Sequence, residues 1–461
     1  MNNRWTLYVE NTGKIKTAEV SVKPLTLFVG DNNSGKSYLM YLLYTLVNAR
    51  FLHQALTACK GTSEYGRCAE WIESFLAESQ QGPVTRTLDD DNLSIFEKLL
   101  NRTITNNLPL LAALAFNTEI PIGAIQITLP RAGQPADLTL SRLDHKGFST
   151  LEYSGWRGKS TILVPDSSPR GENMTSVFLF LEHTLECILK NGIAGFSPND
   201  SVFLPASRTG FLLTAKSLMS DSLSRTYDIE SRMTGGRLTR PCSDFLKMLV
   251  SLTADSDQKT FNGIVRLIEQ EMLHGKISLS AGTPFSDANY QPDGMDNGIP
   301  MFLSSGVVTE LAPLLLTLKY HEPFQVLFVE EPEMGMHPAL QQLMARVLVQ
   351  LRNHPLSVFI TTHSDIILQH INNMIKLGNL SENRRRQLMK HYGLTEKDLL
   401  SAADVAMYQF DVDNTTGTST IHSLEYNEYG FVVPTFNNAL AGMLERSRDF
   451  ERDEVSGDDD E

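Results

Sequence analysis

Alternating and continuous apolar runs at the start of the chain predict three short strands, over Thr6–Val9, Ile15–Val22 and Leu25–Val29. Residues 38–120 instead carry their apolar side chains at the three- and four-residue spacing of amphipathic helices. The chain is therefore expected to open with a small sheet and to continue into a mainly helical region.

The middle of the chain mixes the two kinds of pattern. Further strands are predicted over Ala124–Leu129, Leu138–Leu140, Thr161–Leu163 and Val202–Pro205, and a helix over Ser176–Leu189. Residues 211–275 return to helical spacing, but no heptad repeat persists long enough to predict a long coiled coil.

After about residue 300 the pattern tightens into alternating helices and strands. These elements are Val307–Leu318, Val326–Val329, Ala339–Leu351 and Val358–Thr362, followed by a terminal strand pair at Ala406–Val412 and Ser419–Leu424. Such alternation is typical of a parallel sheet covered by helices. The predicted fold class is α/β, with a mixed N-terminal β-subdomain, a parallel-sheet core and helical insertions.

Several segments are expected, because 461 residues are too many for one ordinary core. They are an N-terminal lobe over 1–210, a helical insertion over 211–299, a C-terminal lobe over 300–450 and an acidic disordered tail over 451–461. The basic run Arg384–Arg386 lies in a polar helical stretch and is interpreted as a solvated helix face.

Composition places the chain among folded soluble proteins, with 41% hydrophobic and 20% charged residues. Its formal net charge of −14 argues against a protein that coats nucleic acid by bulk charge, although it leaves open a local basic groove. No apolar stretch has the length of a membrane span, and the four cysteines show no C-x-x-C pairing. We therefore expect a cytoplasmic protein with reduced thiols, no structural zinc and no membrane contact.

The octapeptide Gly30–Ser37, GDNNSGKS, fits the pattern G-x-x-x-x-G-K-[ST] between a strand and a helix. In this arrangement successive backbone N–H groups and the helix N-terminus face one phosphate. The glycines let the backbone close around phosphate oxygens, Lys36 would reach the β- and γ-phosphates, and Ser37 would ligate Mg²⁺. The residues predicted to bind ATP are Gly30, Asn32, Asn33, Ser34, Gly35, Lys36, Ser37 and Tyr38.

Two adjacent carboxylates, Glu330 and Glu331, follow the apolar strand Val326–Val329. A strand of an open α/β sheet delivers such side chains to its carboxyl edge, where ligands bind. Glu330 is predicted to hold Mg²⁺ through water, and Glu331 to polarise the attacking water as general base.

His363 closes the next apolar strand, in the sequence TTHS. A polar side chain at that point can contact the γ-phosphate and report its presence, although a lone histidine is more often structural. Because this strand follows the acidic strand, we interpret His363 as part of the site.

The sequence FLSSG at Phe302–Gly306 precedes an apolar helix. Ser304, Ser305 and Gly306 would present hydroxyls, N–H groups and a helix dipole to a phosphate. The structural alternative is that one of the serines simply caps the helix.

The order of these parts resembles that of ABC-type ATPase heads: a P-loop, a distant L-S-S-G, then V-E-E-P-E and T-T-H-S. The stretch Glu330–Pro338 and the segment Leu204–Gly210, LPASRTG, are similar to the branch that contains RecF, SMC-like and OLD-type ATPases. In that family the serine-glycine signature of one subunit completes the ATP site of another. The resemblance therefore implies an ABC-ATPase head, ATP and Mg²⁺ as cofactors, ATP hydrolysis, and a homo-oligomer of at least two copies.

The chain departs from the family pattern at three points. Its signature lacks the usual following glutamine, and Glu330 stands where transporters carry an aspartate. The glutamine of the Q-loop has Gln126 as its only candidate. A transporter ATPase is therefore disfavoured.

A second active site in the same chain is not expected. Asp411 and Asp413 form a D-x-D pair of the kind that the Toprim nuclease of OLD-like proteins needs. The surrounding stretch, however, is interpreted as a strand that runs into a turn. About 100 residues follow His363, too few for a Toprim domain in addition to the end of the ATPase.

ATPases of this branch that lack a Toprim domain resemble subunits of bacterial anti-phage systems, and this chain looks most like the ATPase subunit of the PARIS systems. That resemblance implies an ATP-dependent oligomeric scaffold. It would hold a separate effector, a Toprim nuclease, and release it when a phage protein is sensed. The alternative is a recombination-repair ATPase of the RecF or SMC type that binds duplex DNA.

Overall fold

The computed structural model describes residues 5–130, 136–143, 148–155, 158–165, 176–190, 200–226, 238–254, 259–280, 288–354 and 356–455. The strands are β1 Thr6–Thr12, β2 Ile15–Ser21, β3 Leu25–Gly30, β4 Val84–Leu88, β5 Ile122–Thr128, β6 Ala136–Leu143, β7 Phe148–Gly155, β8 Gly158–Pro165, β9 Ser201–Leu204, β10 Gly275–Leu279, β11 Ala288–Pro292, β12 Ile299–Pro300, β13 Val326–Glu330, β14 Ser357–Thr362, β15 Val405–Val412, β16 Ser419–Leu424, β17 Tyr426–Asn427 and β18 Gly430–Phe431. The helices are α1 Lys36–Leu46, α2 Ala49–Ala58, α3 Ser63–Glu78, α4 Asp90–Asn106, α5 Leu108–Phe116, α6 Ser176–Lys190, α7 Arg208–Thr226, α8 Arg240–Ser251, α9 Asn262–Leu267, α10 Gly306–Tyr320, α11 Pro338–Asn353, α12 Asp365–Gly378, α13 Glu382–Tyr392 and α14 Pro434–Val455.

A nine-stranded sheet forms the centre of the fold, in the order β5-β1-β2-β16-β15-β3-β14-β13-β9. Strands β15, β3, β14, β13 and β9 run parallel, whereas β5, β1 and β2 pair antiparallel at the other end. Strand β16 pairs antiparallel with β15 and parallel with β2, so the predicted terminal strand pair joins the two halves. The predicted α/β fold class is confirmed, with a mixed N-terminal β-subdomain and a parallel core that carries the glycine loop.

The two faces of the parallel half are buried by different side chains. One face is aromatic and packs against α1, with the rings of Phe328 and Phe359 stacked 4.5 Å apart between centroids. The other face is aliphatic, with side chains such as Leu27 and Ile360 in the core that α10, α11 and α12 share. Because both faces are covered, these strands appear in the sequence as continuous apolar runs.

Helical insertions occur where the spacing predicted them, together with strands that it did not predict. Helices α2–α5 accompany a four-stranded antiparallel sheet, β4-β6-β7-β8, of which β4 and β7 were not expected. The segment 211–299 carries α8 and α9, but also the three-stranded sheet β10-β11-β12. These strands are short and partly polar, so single-sequence periodicity gives little signal for them. The domain boundaries themselves stay predictions.

The C-terminal end carries a helix, Pro434–Val455, that was not predicted and that covers the first residues of the predicted disordered tail. Helix α14 continues to Val455, and residues 456–461 of the predicted tail lie outside the described residues. Arg384 and Arg386 are exposed on α13, as expected for a solvated helix face. Of the helices that the structure describes, none combines the length and the apolarity that a membrane crossing requires.

Candidate nucleotide-binding site

The carboxyl ends of β3, β14 and β13 meet at one edge of the sheet, because these strands are parallel neighbours. Strand β3 ends at Gly30, β13 at Glu330, and β14 at Thr362, directly before His363. The structure thus brings together the glycine loop, the acid pair and the histidine, which lie far apart in the sequence. This edge is where ligands bind in open α/β sheets.

The loop between β3 and α1 turns through residues with left-handed backbone angles. Gly30 has φ 135°, Asn33 φ 61° and Gly35 φ 97°. A Cβ atom on Gly30 would lie 2.6 Å from the backbone oxygen of Phe410, on the neighbouring strand β15. Glycine is therefore required at position 30 by both conformation and space, and this close approach brings the loop tightly against the sheet.

Lys36 lies within the loop rather than on its surface. Its Nζ donates hydrogen bonds to Gly30 O at 3.0 Å, Asp31 O at 2.6 Å and Ser34 Oγ at 3.2 Å. Burial lowers the pKa of Lys36 to about 8, although the nearby carboxylates, Glu331 first among them, act in the opposite direction. A phosphate group beside this ammonium would favour its charged form, because opposite charges stabilise each other most where water is excluded.

A second cation, Lys14, lies beside the loop and was not predicted. It lies in the β1–β2 turn, and its Nζ donates to Asn33 O at 3.3 Å. The same turn contacts Tyr38, whose ring lies 2.9 Å from a Cβ built on Gly13 and 5.3 Å from the ring of Phe116. The ring of Tyr38 thus packs the loop helix against its neighbours. No motif marks Lys14, so only the folded chain reveals it.

Glu330 and Ser37 form the predicted metal pair. Glu330 is buried, and its Oε1 has no hydrogen-bond partner among the described residues. Burial raises the pKa of Glu330, whereas hydrogen bonds from the Ser37 hydroxyl and the Ala206 backbone act to lower it. A hydroxyl and an unsatisfied carboxylate oxygen are the hard ligands that Mg²⁺ prefers, so these residues fit the expected ion.

Glu331 adopts a backbone conformation that is unusual for a side chain of its size. Its φ is 43°, in the left-handed region, and its N–H donates to Thr361 O at 2.9 Å on β14. Its carboxylate is partly exposed, with Oε1 3.8 Å from His363 Nε2. Strained conformations of this kind persist where the surroundings impose them, most often at functional sites. The turn places Glu331 at the carboxyl edge of the sheet, close enough to Lys36 for the two charges to interact.

Glu333 is a member of the site that the motif did not identify. Its Oε1 accepts from His363 N at 2.7 Å and from Thr362 Oγ1 at 2.8 Å. Burial raises the pKa of this carboxyl, and its Oε2 has no partner within the described ranges. Glu333 therefore holds the Thr362 hydroxyl and the His363 backbone in place at the end of β14.

His363 lies close to two charged side chains of the site, Glu331 and Lys36. Burial lowers its pKa, and the charge of Lys36 acts in the same direction. The imidazole is consequently neutral near pH 7, with one N–H to donate. A neutral imidazole can lie beside a phosphate without adding a further buried charge.

The L-S-S-G segment lies at the N-terminus of α10 and presents itself to solvent. Phe302 is 72% exposed and Leu303 67% exposed, and Ser305 and Gly306 are exposed as well. Ser304 Oγ donates to Pro300 O at 3.3 Å, within its own segment. Ser305 occupies the N-cap position, but its side chain makes no capping hydrogen bond in the part of the chain that the structure describes. Capping therefore does not account for these serines.

The remaining predicted acids and the Q-loop candidate lie elsewhere. Asp413 accepts hydrogen bonds from Thr415 N at 2.8 Å and Thr416 Oγ1 at 3.0 Å, and so builds the turn between β15 and β16. Asp411 accepts from Gln409 at 2.5 Å. Gln126 lies on edge strand β5, with four strands between it and β3. Within the described residues no cluster of three or more acidic, histidine or cysteine side chains could hold a metal.

Two segments of the chain that contribute to this site match known families of ATPase domains. Residues 6–106, which include the glycine loop, match a family described as "AAA ATPase domain". Residues 198–369, which include the acid pair and His363, match a family described as "AAA domain, putative AbiEii toxin, Type IV TA system". A comparison with curated proteins finds no match.

Solved structures with a similar course of the chain include three SMC heads. The SMC head domain from Thermotoga maritima aligns at a TM-score of 0.32 and 13% identity, over 92% of this chain and 100% of that one. The SmcHead bound to the C-winged helix domain of ScpA gives 0.36 and 12%, over 91% and 97%. The Smc head domain with an extended coiled coil, bound to the C-terminal domain of ScpA derived from Pyrococcus furiosus, gives 0.35 and 12%, over 96% and 98%. The two family matches alone show that parts of the chain, residues 6–106 and 198–369, are similar to ATPase domains.

Proposed function

We propose that this chain is an ABC-type ATPase that binds MgATP at the Gly30–Ser37 loop and hydrolyses it within an oligomer of its own copies. The observation that carries the proposal is the convergence of Lys36, Glu330, Glu331 and His363 at one sheet edge. A buried carboxylate, Glu330, and a buried ammonium, Lys36, are costly to collect in one place unless a charged ligand completes them.

Each group has a role in this reaction. Backbone N–H groups of the loop and Lys36 hold the phosphates. Ser37 and Glu330 would hold Mg²⁺, which neutralises charge on the phosphate oxygens when bound. Glu331 orients and polarises the attacking water, and neutral His363 donates to the γ-phosphate. The protein thus contributes positioning and electrostatic stabilisation, which is what phosphoryl transfer requires.

The exposed L-S-S-G segment supports the oligomeric part of the proposal. Ser304–Gly306 offers hydroxyls and a helix N-terminus, yet its contacts do not lead to the loop of its own chain. Exposed apolar side chains at Phe302 and Leu303 flank it, as at a surface that another protein covers. In the proposed assembly this segment contacts the ATP held by a second copy.

We further infer that the oligomer holds a separate effector in anti-phage defence, in the manner implied by the resemblance to PARIS. The effector would be a Toprim nuclease, released when a phage protein is sensed. The description of the family matched by residues 198–369, which names a toxin–antitoxin system, supports a role of this kind.

The test is ATP hydrolysis by purified protein, with Lys36→Ala as the inactive reference. Hydrolysis that is abolished by this substitution is expected; equal rates would overturn the proposal. Co-purification with the product of a neighbouring reading frame, in the presence and absence of ATP, tests the effector. Duplex DNA affinity that falls steeply with salt, without a bound effector, would instead favour a repair ATPase.

A further inference from the structure

Arg208 is a buried guanidinium at the start of α7 that donates hydrogen bonds to the backbone of both Glu330 and Glu331. It is 2% exposed. Its Nη1 donates to Pro205 O at 3.2 Å and to Glu330 O at 2.6 Å, and its Nη2 donates to Glu331 O at 3.1 Å. The fork of the guanidinium thus grips consecutive carbonyls at the end of β13.

The same guanidinium is paired with the helix that follows the L-S-S-G segment. Glu310 lies in the second turn of α10, is 8% exposed, and places Oε2 3.2 Å from Arg208 Nη2. Next to this pair, Thr209 Oγ1 donates to Thr309 Oγ1 at 3.1 Å. Two polar contacts therefore connect the start of α7 to the start of α10.

A buried Arg–Glu pair is a costly way merely to stabilise the contact between α7 and α10. Taking an Arg–Glu pair out of water costs several kcal/mol per ion, and well-packed apolar side chains often stabilise a core as well or better. Arg208 also contacts the strained residue directly after β13, the left-handed Glu331. A strained residue needs surroundings that hold it in place, and here the carbonyls of Glu330 and Glu331 both accept from a single side chain.

We propose that Arg208 is a positioning residue for Glu331, and that through Glu310 it transmits the position of the L-S-S-G helix to the catalytic carboxylate. The inference rests on the proposed role of Glu331 as general base. When the segment at Ser304–Gly306 meets a phosphate of a second copy, any shift of α10 moves Glu310, and the fork of Arg208 passes that movement to the carbonyls of Glu330 and Glu331. Hydrolysis then depends on assembly, because the base is aligned only when α10 is engaged.

The principal variant is Glu310→Gln, which keeps the shape of the side chain and removes its charge. We expect kcat to fall ~10- to 100-fold, as when a reacting group is displaced by about 1 Å. The dissociation constant for ATP should not change, because Glu310 does not contact the glycine loop. In a Glu331→Gln background, Glu310→Gln should cause no further loss, because both changes act through the same group.

A matched control lies on the same helix. Lys319, in the last turn of α10, pairs with Glu269 at 3.0 Å, and both side chains are largely buried. Glu269→Gln removes a comparable ion pair at the opposite end of α10, and kcat should stay at the wild-type value. An equal loss of kcat in both variants would mean that Glu310 only stabilises the helix, and the inference would be wrong.

Arg208 itself is tested by Arg208→Lys, with the melting temperature measured alongside. A lysine keeps the charge but cannot reach three carbonyls and a carboxylate at once, so we expect kcat to fall while folding and ATP binding are kept. Wild-type kcat in Arg208→Lys or in Glu310→Gln would overturn the inference and leave the proposed function intact. Absence of hydrolysis in the wild-type protein would overturn the proposed function instead.

Discussion

The glycine-loop edge and the L-S-S-G segment are the two regions predicted to meet ATP, and they differ in almost every physical respect. At the edge, Lys36 and Glu330 are buried, and short hydrogen bonds fix the loop and the strands. At the segment, Phe302, Ser305 and Gly306 are exposed to solvent. The side chain of Ser305, at the N-cap of α10, makes no capping hydrogen bond within the described residues. One region is complete within the chain, whereas the other is arranged for a partner.

This difference gives each region its own experimental signature. Substitutions at the edge should affect ATP binding or chemistry in every copy. Substitutions at the segment should leave a single copy folded and able to bind ATP, and should affect only what requires two copies.

The largest effect is expected from Glu331→Gln. Loss of a general base costs roughly 10²- to 10⁴-fold in rate, and the neutral amide should leave ATP binding intact. The measurement is kcat together with ATP affinity, and Glu428→Gln, an exposed glutamate, is the control. Hydrolysis at the wild-type rate would show that another group is the base.

Lys36→Ala should weaken ATP binding by roughly 100-fold, since hydrogen bonds to charged groups contribute about 1.5–3 kcal/mol each. Titration calorimetry measures this directly. Lys14→Ala, which removes the half-buried cation beside the loop, should cause a clearly smaller loss of ATP affinity. An equal loss of ATP affinity in the two variants would mean that Lys36 contributes no more to ATP binding than Lys14.

Ser305→Arg should abolish ATP-dependent assembly while it changes the free energy of unfolding by less than about 0.5 kcal/mol, as is usual for exposed positions. A Cβ on the next residue, Gly306, would have nothing within 4 Å among the described residues, so there is room for a larger side chain. Light scattering with and without ATP measures the assembly. Reduced ATP affinity in the single copy would contradict the separation of the two regions.

The smallest effect is a dependence of ATP affinity on pH. Because burial lowers the pKa of Lys36 to about 8, its ammonium loses a proton as pH rises through that value, and ATP binding must restore it. Affinity should then fall by up to about tenfold per pH unit above 8, with uptake of one proton on binding. Calorimetry in buffers of different ionisation enthalpy detects that proton. A flat profile would show that Lys36 stays charged without a ligand.

Much of the glycine-loop edge could be predicted from the sequence because strand ends and a spaced motif encode it locally. The run before Gly30 and the run before Glu330 are buried on both faces, so they stand out as continuous apolar strands. The nine-stranded order could not be predicted, because it depends on β15 and β16, which come from the end of the chain and pair with β3 and β2.

The residues that sequence reasoning missed act through long-range contacts. Lys14 reaches the loop from a hairpin turn, Glu333 holds the backbone of His363, and Arg208 holds the carbonyls of the acid pair. None of these roles has a spacing rule, since each partner lies on another element. Arg208 does fall in the segment LPASRTG that was singled out by resemblance, but its role becomes visible only in the fold.

The central claim is that the ATP site is shared between copies, and a mixing experiment tests it most directly. Lys36→Ala and Ser305→Arg are each expected to be inactive alone, but a mixed assembly contains the intact loop of one copy facing the intact L-S-S-G segment of the other. Lys36→Ala mixed with Glu331→Gln is the control, because both changes affect the same side of the site and no intact site can form. The account predicts that hydrolysis returns in the first mixture and not in the second; no recovery in the first mixture, with both proteins folded, would contradict a shared site.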